Sequence, residues 1–175
     1  MQNMQKINPQ IAATFMGASF LHFPFKNNEE HPECIRIKKY IQQTISALYH
    51  ETGVRQFLCG VTPGIEMWAA EIVLDLMKDY PDLELYCVVS FSGQSDKWSL
   101  KKQARYKKIL EQCTEIIYLH TKEDSSKRYW TQKMFLLDHT NVLIAVFEIH
   151  TSPKGTLMRV LNKARENGTR IIFVS

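Results

Sequence analysis

Strand-length apolar runs alternate with helix-length amphipathic segments along most of this chain, and that alternation restricts the fold more than any other feature. The helical segments repeat apolar residues every three or four positions, and the strand-like runs are short and rich in β-branched and aromatic residues. This order predicts βαβ units, and therefore an α/β, doubly wound, mostly parallel sheet of about six strands with helices on both faces. The predicted strands are Ile11–Ala18, Arg55–Gly60, Leu83–Phe91, Thr114–His120, Asn141–Ile149 and Thr169–Ser175, and the predicted helices are Cys34–Glu51, residues 65–79, Leu100–Gln112, Ser125–Thr140 and a last one ending at Gly168.

The length of 175 residues predicts one domain over residues 1–175, with residues 1–10 as a flexible N-terminal extension. Apolar residues make up 45% of the chain, which is enough for a full core. No apolar run approaches the roughly 20 residues that a membrane-spanning helix needs, and the start shows no secretion signal. We therefore expect a cytoplasmic protein without membrane insertion.

The four cysteines, Cys34, Cys59, Cys87 and Cys113, are far apart in sequence and form no CxxC pair. We interpret them as free thiols, with Cys59 and Cys87 buried in strands. His31 lies close to Cys34, but a structural zinc ion needs four ligands. No metal site is predicted.

Two glycine-containing turns follow predicted strands. Gly60 and Gly64 enclose Val-Thr-Pro before a helix that begins near Ile65, and "SPKGT" repeats the arrangement before the last helix. Free N–H groups at a helix start can bind an anion, and ligands of doubly wound sheets bind at the carboxyl ends of the strands. The two turns therefore suggest a phosphate-bearing ligand. The alternative is that these glycines only close the chain connections, since neither turn matches a known phosphate-binding fingerprint.

The same strand-end rule selects the candidate site. Glu66 lies in the first turn of its helix, where its negative charge either interacts favourably with the helix dipole or binds a ribose hydroxyl. The sequence does not decide between these roles. Trp68 lies on an apolar helical stripe and is expected in the core. The predicted ligand-binding residues are Gly17, Ala18, Ser19, Gly60, Thr62, Gly64, Glu66, Phe91, Lys154, Gly155, Thr156 and Arg159.

The stretch "KWSLKKQARYKK" is locally basic and contains Trp98 and Tyr106 between its charges. Basic residues interleaved with aromatic ones can bind single-stranded nucleic acid. A solvated helix face is the favoured interpretation, because a basic patch without a motif is weak evidence.

The runs "GVTPGIEMWAAE", "YPDLELYCVVSF" and "FLLDHTNVLIAVFE" resemble the YpsA-like branch of the SLOG superfamily, over roughly residues 12–175. The resemblance implies a Rossmann-like domain that binds a nucleotide or nucleotide-derived ligand, including ADP-ribose-type molecules. It implies no settled enzyme activity. The sequence departs from the family where "MGASF" follows the first strand, where Gln132 and Lys133 stand in the fourth helix, and in the glycine-poor loop "SPKGT".

We therefore expect a regulatory or sensing protein that binds a nucleotide, with no catalytic residue. An N-glycosidic-bond hydrolase is the first alternative, since the superfamily includes the LOG phosphoribohydrolases. Aligned on their G-G-x-G-T-x-x-E loop, this chain places Arg159 where the glutamate would be, and Glu148 is the nearby carboxylate that could replace it. A single-stranded nucleic-acid binding module is the second alternative. A homodimer is also expected, because Tyr129, Phe135 and Leu136 give the fourth helix more large apolar side chains than one buried face requires.

Overall fold

A computed structural model of the chain describes residues 6–17, 23–119, 125–147 and 155–175. Strands and helices alternate through these residues, which confirms the predicted α/β order. The strands are β1 (Ala12–Gly17), β2 (Gln56–Cys59), β3 (Glu84–Val89), β4 (Glu115–Tyr118), β5 (Val142–Val146) and β6 (Arg170–Val174). The helices are α1 (Pro32–Ala47), α2 (Ile65–Leu76), α3 (Leu100–Gln112), α4 (Ser125–Asp138) and α5 (Gly155–Glu166).

The six strands form one sheet in the order β4-β3-β2-β1-β5-β6, and all neighbouring pairs are parallel. The chain runs outward from β1 to β4, then returns to place β5 on the other side of β1. The strand order therefore reverses between β1 and β5. In doubly wound sheets such a reversal point marks the crevice where ligands bind.

Alternate strand residues pack on opposite faces of the sheet. Phe15 and Phe57 stack with ring centroids 5.4 Å apart on the face covered by α1, α2 and α3. Met16 and Leu58 point to the other face, which α4 and α5 cover. All five residues of β5 are buried, as expected for a strand covered on both sides.

Helices α1 and α2 differ most from the sequence prediction at their ends. Helix α2 ends at Leu76, because a turn brings the N–H of Tyr80 to the Leu76 carbonyl before Pro81. Helix α1 begins earlier than predicted, where the His31 ring accepts the N–H of Glu33. It continues into a π turn over Leu48–Thr52, which stops at Gly53 in the left-handed conformation.

Residues 6–10 lie in the stretch predicted as a flexible extension, yet they contact the sheet. Ile7 is buried. The side-chain oxygen of Gln56 accepts the backbone N–H of Asn8 at 2.8 Å, and the side-chain NH₂ group of Gln56 donates to the backbone carbonyl of Lys6 at 2.9 Å. This part of the extension is therefore attached at the amino-terminal ends of the strands, on the side of the sheet opposite their carboxyl ends. No helix in the described residues is long and apolar enough to cross a bilayer.

The segment Phe23–His31, called the strap below, packs over α1 and α2. Phe25 is buried against Trp68, with ring centroids 6.3 Å apart. Trp68 is 3% exposed, which confirms its expected place in the core. Lys38 of α1 lies 5.1 Å from the centre of the Trp68 ring. Trp68 therefore joins the strap to the helical layer.

Candidate functional site

A cavity of about 440 Å³ opens at the carboxyl edge of the sheet, beside the end of β1 where the strand order reverses. The turn between β2 and α2 forms one wall, α4 forms another, and the start of α5 closes a third side. Its lining residues come from four separate segments of the chain: Gly17, Thr62, Pro63, Ile65, Glu66, Tyr129, Lys133 and Thr156.

The turn between β2 and α2 has an unusual backbone. Gly64 caps α2 with φ 103° and ψ −131°, a conformation that residues with a Cβ rarely adopt. Val61 has φ 53° although it is β-branched and fully buried. Such a backbone costs about 1–3 kcal/mol and persists where surrounding contacts impose it. The turn is therefore held in one conformation at the edge of the cavity.

Glu66 connects this turn to α4. Its side chain is 4% exposed. One carboxylate oxygen accepts the Thr62 N–H at 3.1 Å and the Thr62 hydroxyl at 2.5 Å. The other oxygen accepts the Lys133 ammonium. The cavity thus contains a carboxylate and an ammonium that balance each other.

A buried amide network lies beneath this pair. The Gln132 side-chain N–H group donates to the Val88 carbonyl at 2.6 Å and to the Gln94 carbonyl oxygen at 3.2 Å. Gln94 in turn donates to the Gly60 carbonyl at 2.9 Å. The Gln132 carbonyl oxygen has no hydrogen-bond partner among the described residues. The network fixes α4, and so Lys133, against the ends of β2 and β3.

Gly60 and Gly17 are required by packing. A Cβ on Gly60 would come within 2.9 Å of both the Gln132 and the Glu66 side-chain oxygens. A Cβ on Gly17 would lie 2.5 to 2.8 Å from three carbons of the Ile65 side chain. The absence of a side chain at both positions lets the start of α2 and the amide network approach the strand ends closely.

Tyr129 contributes a phenol to the cavity. Burial raises its pKa, and the nearby Glu66 carboxylate raises it further. Burial also raises the pKa of the Cys59 thiol, again with a contribution from Glu66. At neutral pH both groups are therefore protonated. Tyr129 can donate a hydrogen bond, and Cys59 is an unreactive buried thiol.

Apart from Arg159, the predicted site residues separate into three groups. Gly17, Thr62, Glu66 and Thr156 line the cavity together. Four others lie beside it: Gly60 in the amide network, Gly64 in the adjoining turn, Gly155 just before Thr156, and Phe91, whose ring meets Tyr129 edge-on at 6.2 Å. Ala18, Ser19, Glu148 and Lys154 lie outside the described residues.

Arg159 is placed differently from the sequence expectation. Its guanidinium stacks on the Trp130 ring, 4.2 Å from the ring centre, and it does not line the cavity. Lys133 supplies the cavity's cation instead, and Tyr129 its aromatic ring. The spacing of Tyr129 and Lys133, one helical turn apart, places both on one side of α4. The sequence alone does not reveal that this side faces the cavity.

The two aromatic residues of the basic stretch, half-buried Trp98 just before α3 and buried Tyr106 within it, pack against each other. Trp98 and Tyr106 contact each other edge-on at 5.2 Å, and Tyr106 is buried. Arg105 binds Glu71 with two hydrogen bonds of 2.7 Å and also binds Glu29. The two rings and Arg105 are therefore engaged in contacts within the fold, whereas Lys101, Lys107 and Lys108 are exposed.

Comparison with known proteins gives one consistent match. A family model described as the YspA SLOG family matches residues 23–175. A UPF0398 protein of Staphylococcus epidermidis is 35% identical over 130 residues, which cover 72% of this chain and 68% of the relative. One from Staphylococcus haemolyticus is 32% identical over the same shares. One from Bacillus thuringiensis is 27% identical over 145 residues, 82% of this chain and 76% of the relative.

Proposed function

The chain belongs to the YspA SLOG family, and we propose that it binds a nucleotide or nucleotide derivative and has a regulatory or sensing role. One observation carries the proposal: a cavity at the reversal of strand order combines a carboxylate, an ammonium, two hydroxyls and a phenol. Its volume of about 440 Å³ lies within the usual range for small-molecule sites, roughly 300–1,000 Å³.

The chemistry of the wall matches the parts of a nucleotide. Thr156 stands at the start of α5 and Thr62 in the turn before α2, beside helix N-termini whose N–H groups and dipole favour a phosphate. Lys133, which is paired with Glu66, presents N–H donors on the facing wall. The Glu66 carboxylate is an acceptor for ribose hydroxyls, and the Tyr129 ring offers an aromatic surface to a base. ADP-ribose-type molecules contain all of these groups.

Binding is favoured over catalysis by the state of the reactive groups. A general base or nucleophile must be available and suitably deprotonated. Glu66 is already engaged by Thr62 and Lys133, and the raised pKa values of Tyr129 and Cys59 keep both protonated. Within the described part of the chain, the groups around the cavity are therefore suited to hydrogen bonding.

An N-glycosidic-bond hydrolase is the second candidate, because Glu66 places a carboxylate on the cavity wall. A carboxylate can stabilise the positive charge that develops on a sugar during such cleavage. The test is to incubate the protein with nucleoside monophosphates and measure free base by chromatography. Release near the enzyme median of about 10 per second, abolished in Glu66→Gln, would establish the hydrolase in place of the binding protein.

We also propose a cytoplasmic location and self-association, although the apolar side chains of α4 do not supply a surface for a dimer. Leu136 is fully buried, Tyr129 lines the cavity, and Phe135 stacks on His139 with centroids 4.1 Å apart. The large apolar side chains that suggested a dimer are thus used within one chain. Light scattering at tens of micromolar tests self-association directly.

A thermal-shift screen tests ligand binding. The panel contains AMP, ADP, ATP, NAD and ADP-ribose. A ligand at 100 times its dissociation constant adds about 2.7 kcal/mol of stability, so a binder raises the melting temperature by several degrees. Thr156→Trp, at an exposed position of the cavity rim, should abolish the shift. Asn162→Trp, exposed on the same helix but away from the cavity, is the matched control. Absence of any shift, or equal shifts in both variants, would contradict the proposal.

A further inference from the structure

The connection from α3 to β4 brings two of the four cysteines together. Cys87 lies in β3, and Cys113 follows the last residue of α3. The next residue, Thr114, is tied to β3, because its N–H donates to the Leu85 carbonyl at 2.9 Å and its hydroxyl accepts the Leu85 N–H at 3.0 Å. Leu85 and Cys87 are two positions apart and face the same side of the sheet, where Cys113 packs against the core.

The two thiols share a hydrogen bond, in which the Cys87 S–H group donates to the Cys113 sulfur. The Cys113 thiol also donates to the Leu110 carbonyl at 3.3 Å. Cys113 lies just past the helix with an extended backbone at ψ 161°, so its side chain escapes the rotamer restriction that a helix imposes. To form a disulfide, the two sulfurs must close from hydrogen-bond contact to about 2.05 Å.

The two cysteines differ in exposure and in ionisation. Cys113 is half-buried, whereas Cys87 is fully buried. The hydrogen bond from Cys87, together with nearby backbone N–H groups, outweighs burial and lowers the pKa of the Cys113 thiol. The same hydrogen bond, together with burial, raises the pKa of the Cys87 thiol. Because the thiolate is the nucleophilic form of cysteine, Cys113 is the thiol of this pair that reacts first with an oxidant from solvent.

Cys59 gives an internal comparison, because it is the register partner of Cys87 on β2. Cys59 is fully buried, and its thiol donates to the Glu66 carbonyl at 3.1 Å. Burial raises the pKa of the Cys59 thiol and that of the buried Cys34 thiol. Among the four cysteines, Cys113 alone combines partial exposure with a lowered pKa.

We propose that Cys113 and Cys87 form a reversible disulfide when the chain meets a hydroperoxide, with Cys113 as the attacking thiol and Cys87 as the resolving thiol. The Cys113 thiolate attacks one peroxide oxygen, so that an S–O bond forms, the O–O bond breaks, and the other oxygen takes a proton from solvent and leaves as an alcohol or water. The Cys113 sulfur is thereby oxidised by two electrons to a sulfenic acid. The Cys87 sulfur then attacks the sulfenic sulfur, an S–S bond forms, and the hydroxyl group leaves with the Cys87 proton as water. An external dithiol reverses the reaction by exchange and is itself oxidised.

Peptide mapping of the full chain tests this proposal, because trypsin places each cysteine in a different peptide. Cys87 lies in residues 79–97 and Cys113 in residues 109–122. Reduced protein is treated with hydrogen peroxide, the remaining thiols are alkylated in denaturant, and the tryptic peptides are weighed without reduction. Two of the four thiols should escape alkylation, and the two peptides should appear joined, two hydrogen masses below their sum. Dithiothreitol should restore both thiols. A synthetic peptide of residues 109–122 is the matched control, and its thiol should be oxidised more slowly because it lacks Cys87.

Variants separate the two roles. Cys87→Ala should stop at the sulfenic acid on Cys113, which dimedone labels, and Cys113→Ser should leave its three remaining thiols reduced. Cys34→Ala should form the same link as wild type. Four alkylated thiols after peroxide treatment, oxidation no faster than that of the synthetic peptide, a link that includes Cys59 or Cys34, or a link between two chains would overturn the proposal. The wild-type link decides the proposal even where Cys87→Ala does not fold, and none of these outcomes depends on nucleotide binding.

Discussion

Glu66 and Glu29 are both carboxylates that bind cationic side chains, yet their surroundings differ. Glu66 is nearly fully buried and borders a cavity of about 440 Å³. Glu29 is about one-third exposed and borders a void of about 20 Å³, room for little more than one water molecule. The adjoining space, rather than the ion pair itself, therefore distinguishes a candidate binding group from a structural one.

The partners of Glu29 support its structural role. It accepts from Arg105 at 2.5 and 3.2 Å and from Lys38 at 2.6 Å. Arg105 also holds Glu71 of α2. This network joins the strap to α1, α2 and α3. We call it the strap cluster, and the group formed by Glu66, Thr62 and Lys133 the cavity cluster.

Removing the cation of the cavity cluster should have the largest effect. Lys133→Met leaves the Glu66 carboxylate buried without its charge partner, and breaking such a pair costs about 3 kcal/mol. Urea denaturation measures the loss. In the double variant Glu66→Gln/Lys133→Met the unpaired charge is gone, so the loss should be clearly smaller. Equal losses in the single and double variants would show that the pair is not the cause.

Gly17→Ala should have the next largest effect. The added Cβ overlaps the branched Ile65 side chain, and overpacking of this kind costs about 2 kcal/mol. It also displaces the start of α2, so nucleotide binding should be lost. Gly17→Ala/Ile65→Ala removes the overlap and should recover part of both losses, as measured by denaturation and thermal shift. A fully stable Gly17→Ala protein would contradict the close approach of β1 and α2.

Glu29→Gln should have a smaller effect, and only on stability. The amide keeps the shape but loses charge-assisted hydrogen bonds to Arg105 and Lys38, which lowers stability by about 1–2 kcal/mol. Any nucleotide found to bind should bind this variant with unchanged affinity, measured by calorimetry. Weaker nucleotide binding in Glu29→Gln would remove the distinction between the two clusters.

The strap cluster should also respond to acid. Burial alone would raise the pKa of Glu29, but hydrogen bonds from Arg105, Lys38 and Trp68 outweigh burial and lower it from 4.5 to about 2. A carboxyl whose pKa is lowered by folding stabilises the protein above its unfolded-state pKa and loses that contribution as pH falls. The stability difference between wild type and Glu29→Gln should therefore be constant above pH 4.5 and shrink toward pH 2. A difference that grows in acid would contradict this cause.

The fold could be predicted from sequence because each element carries its own pattern. The five-residue apolar run of β5 and the repeating isoleucines of α1 depend only on near neighbours in the chain. Because ligands of doubly wound sheets bind at the carboxyl ends of the strands, the sequence predicted Gly17, Thr62, Glu66 and Thr156 at one edge of the sheet, where the structure places them. These four lie at the end of β1, in the β2–α2 turn, in the first turn of α2 and at the start of α5, so the order of strands and helices was sufficient to predict that they share one edge.

The remaining contacts join residues that are far apart in the sequence, and no local sequence pattern specifies such pairs. Lys133 reaches Glu66 across 67 positions of sequence, and Arg105 reaches Glu29 across 76. Which side of α4 meets the cavity is set by the buried Gln132 amide, which in the sequence was only a departure from the family pattern. Arg159 was expected near the ligand because of its place in the helix, but stacking on Trp130 directs it elsewhere.

Amide chemical-shift mapping tests the central claim most directly. The nucleotide that gives the largest thermal shift is titrated into ¹⁵N-labelled protein. The account predicts that the largest shift changes occur at Gly17, Thr62, Glu66 and Thr156, with the strap cluster, α3 and β4 unchanged. Changes concentrated at Glu29 and Arg105, or along α3 and β4, would contradict it, because the ligand would then bind outside the cavity at the reversal of strand order.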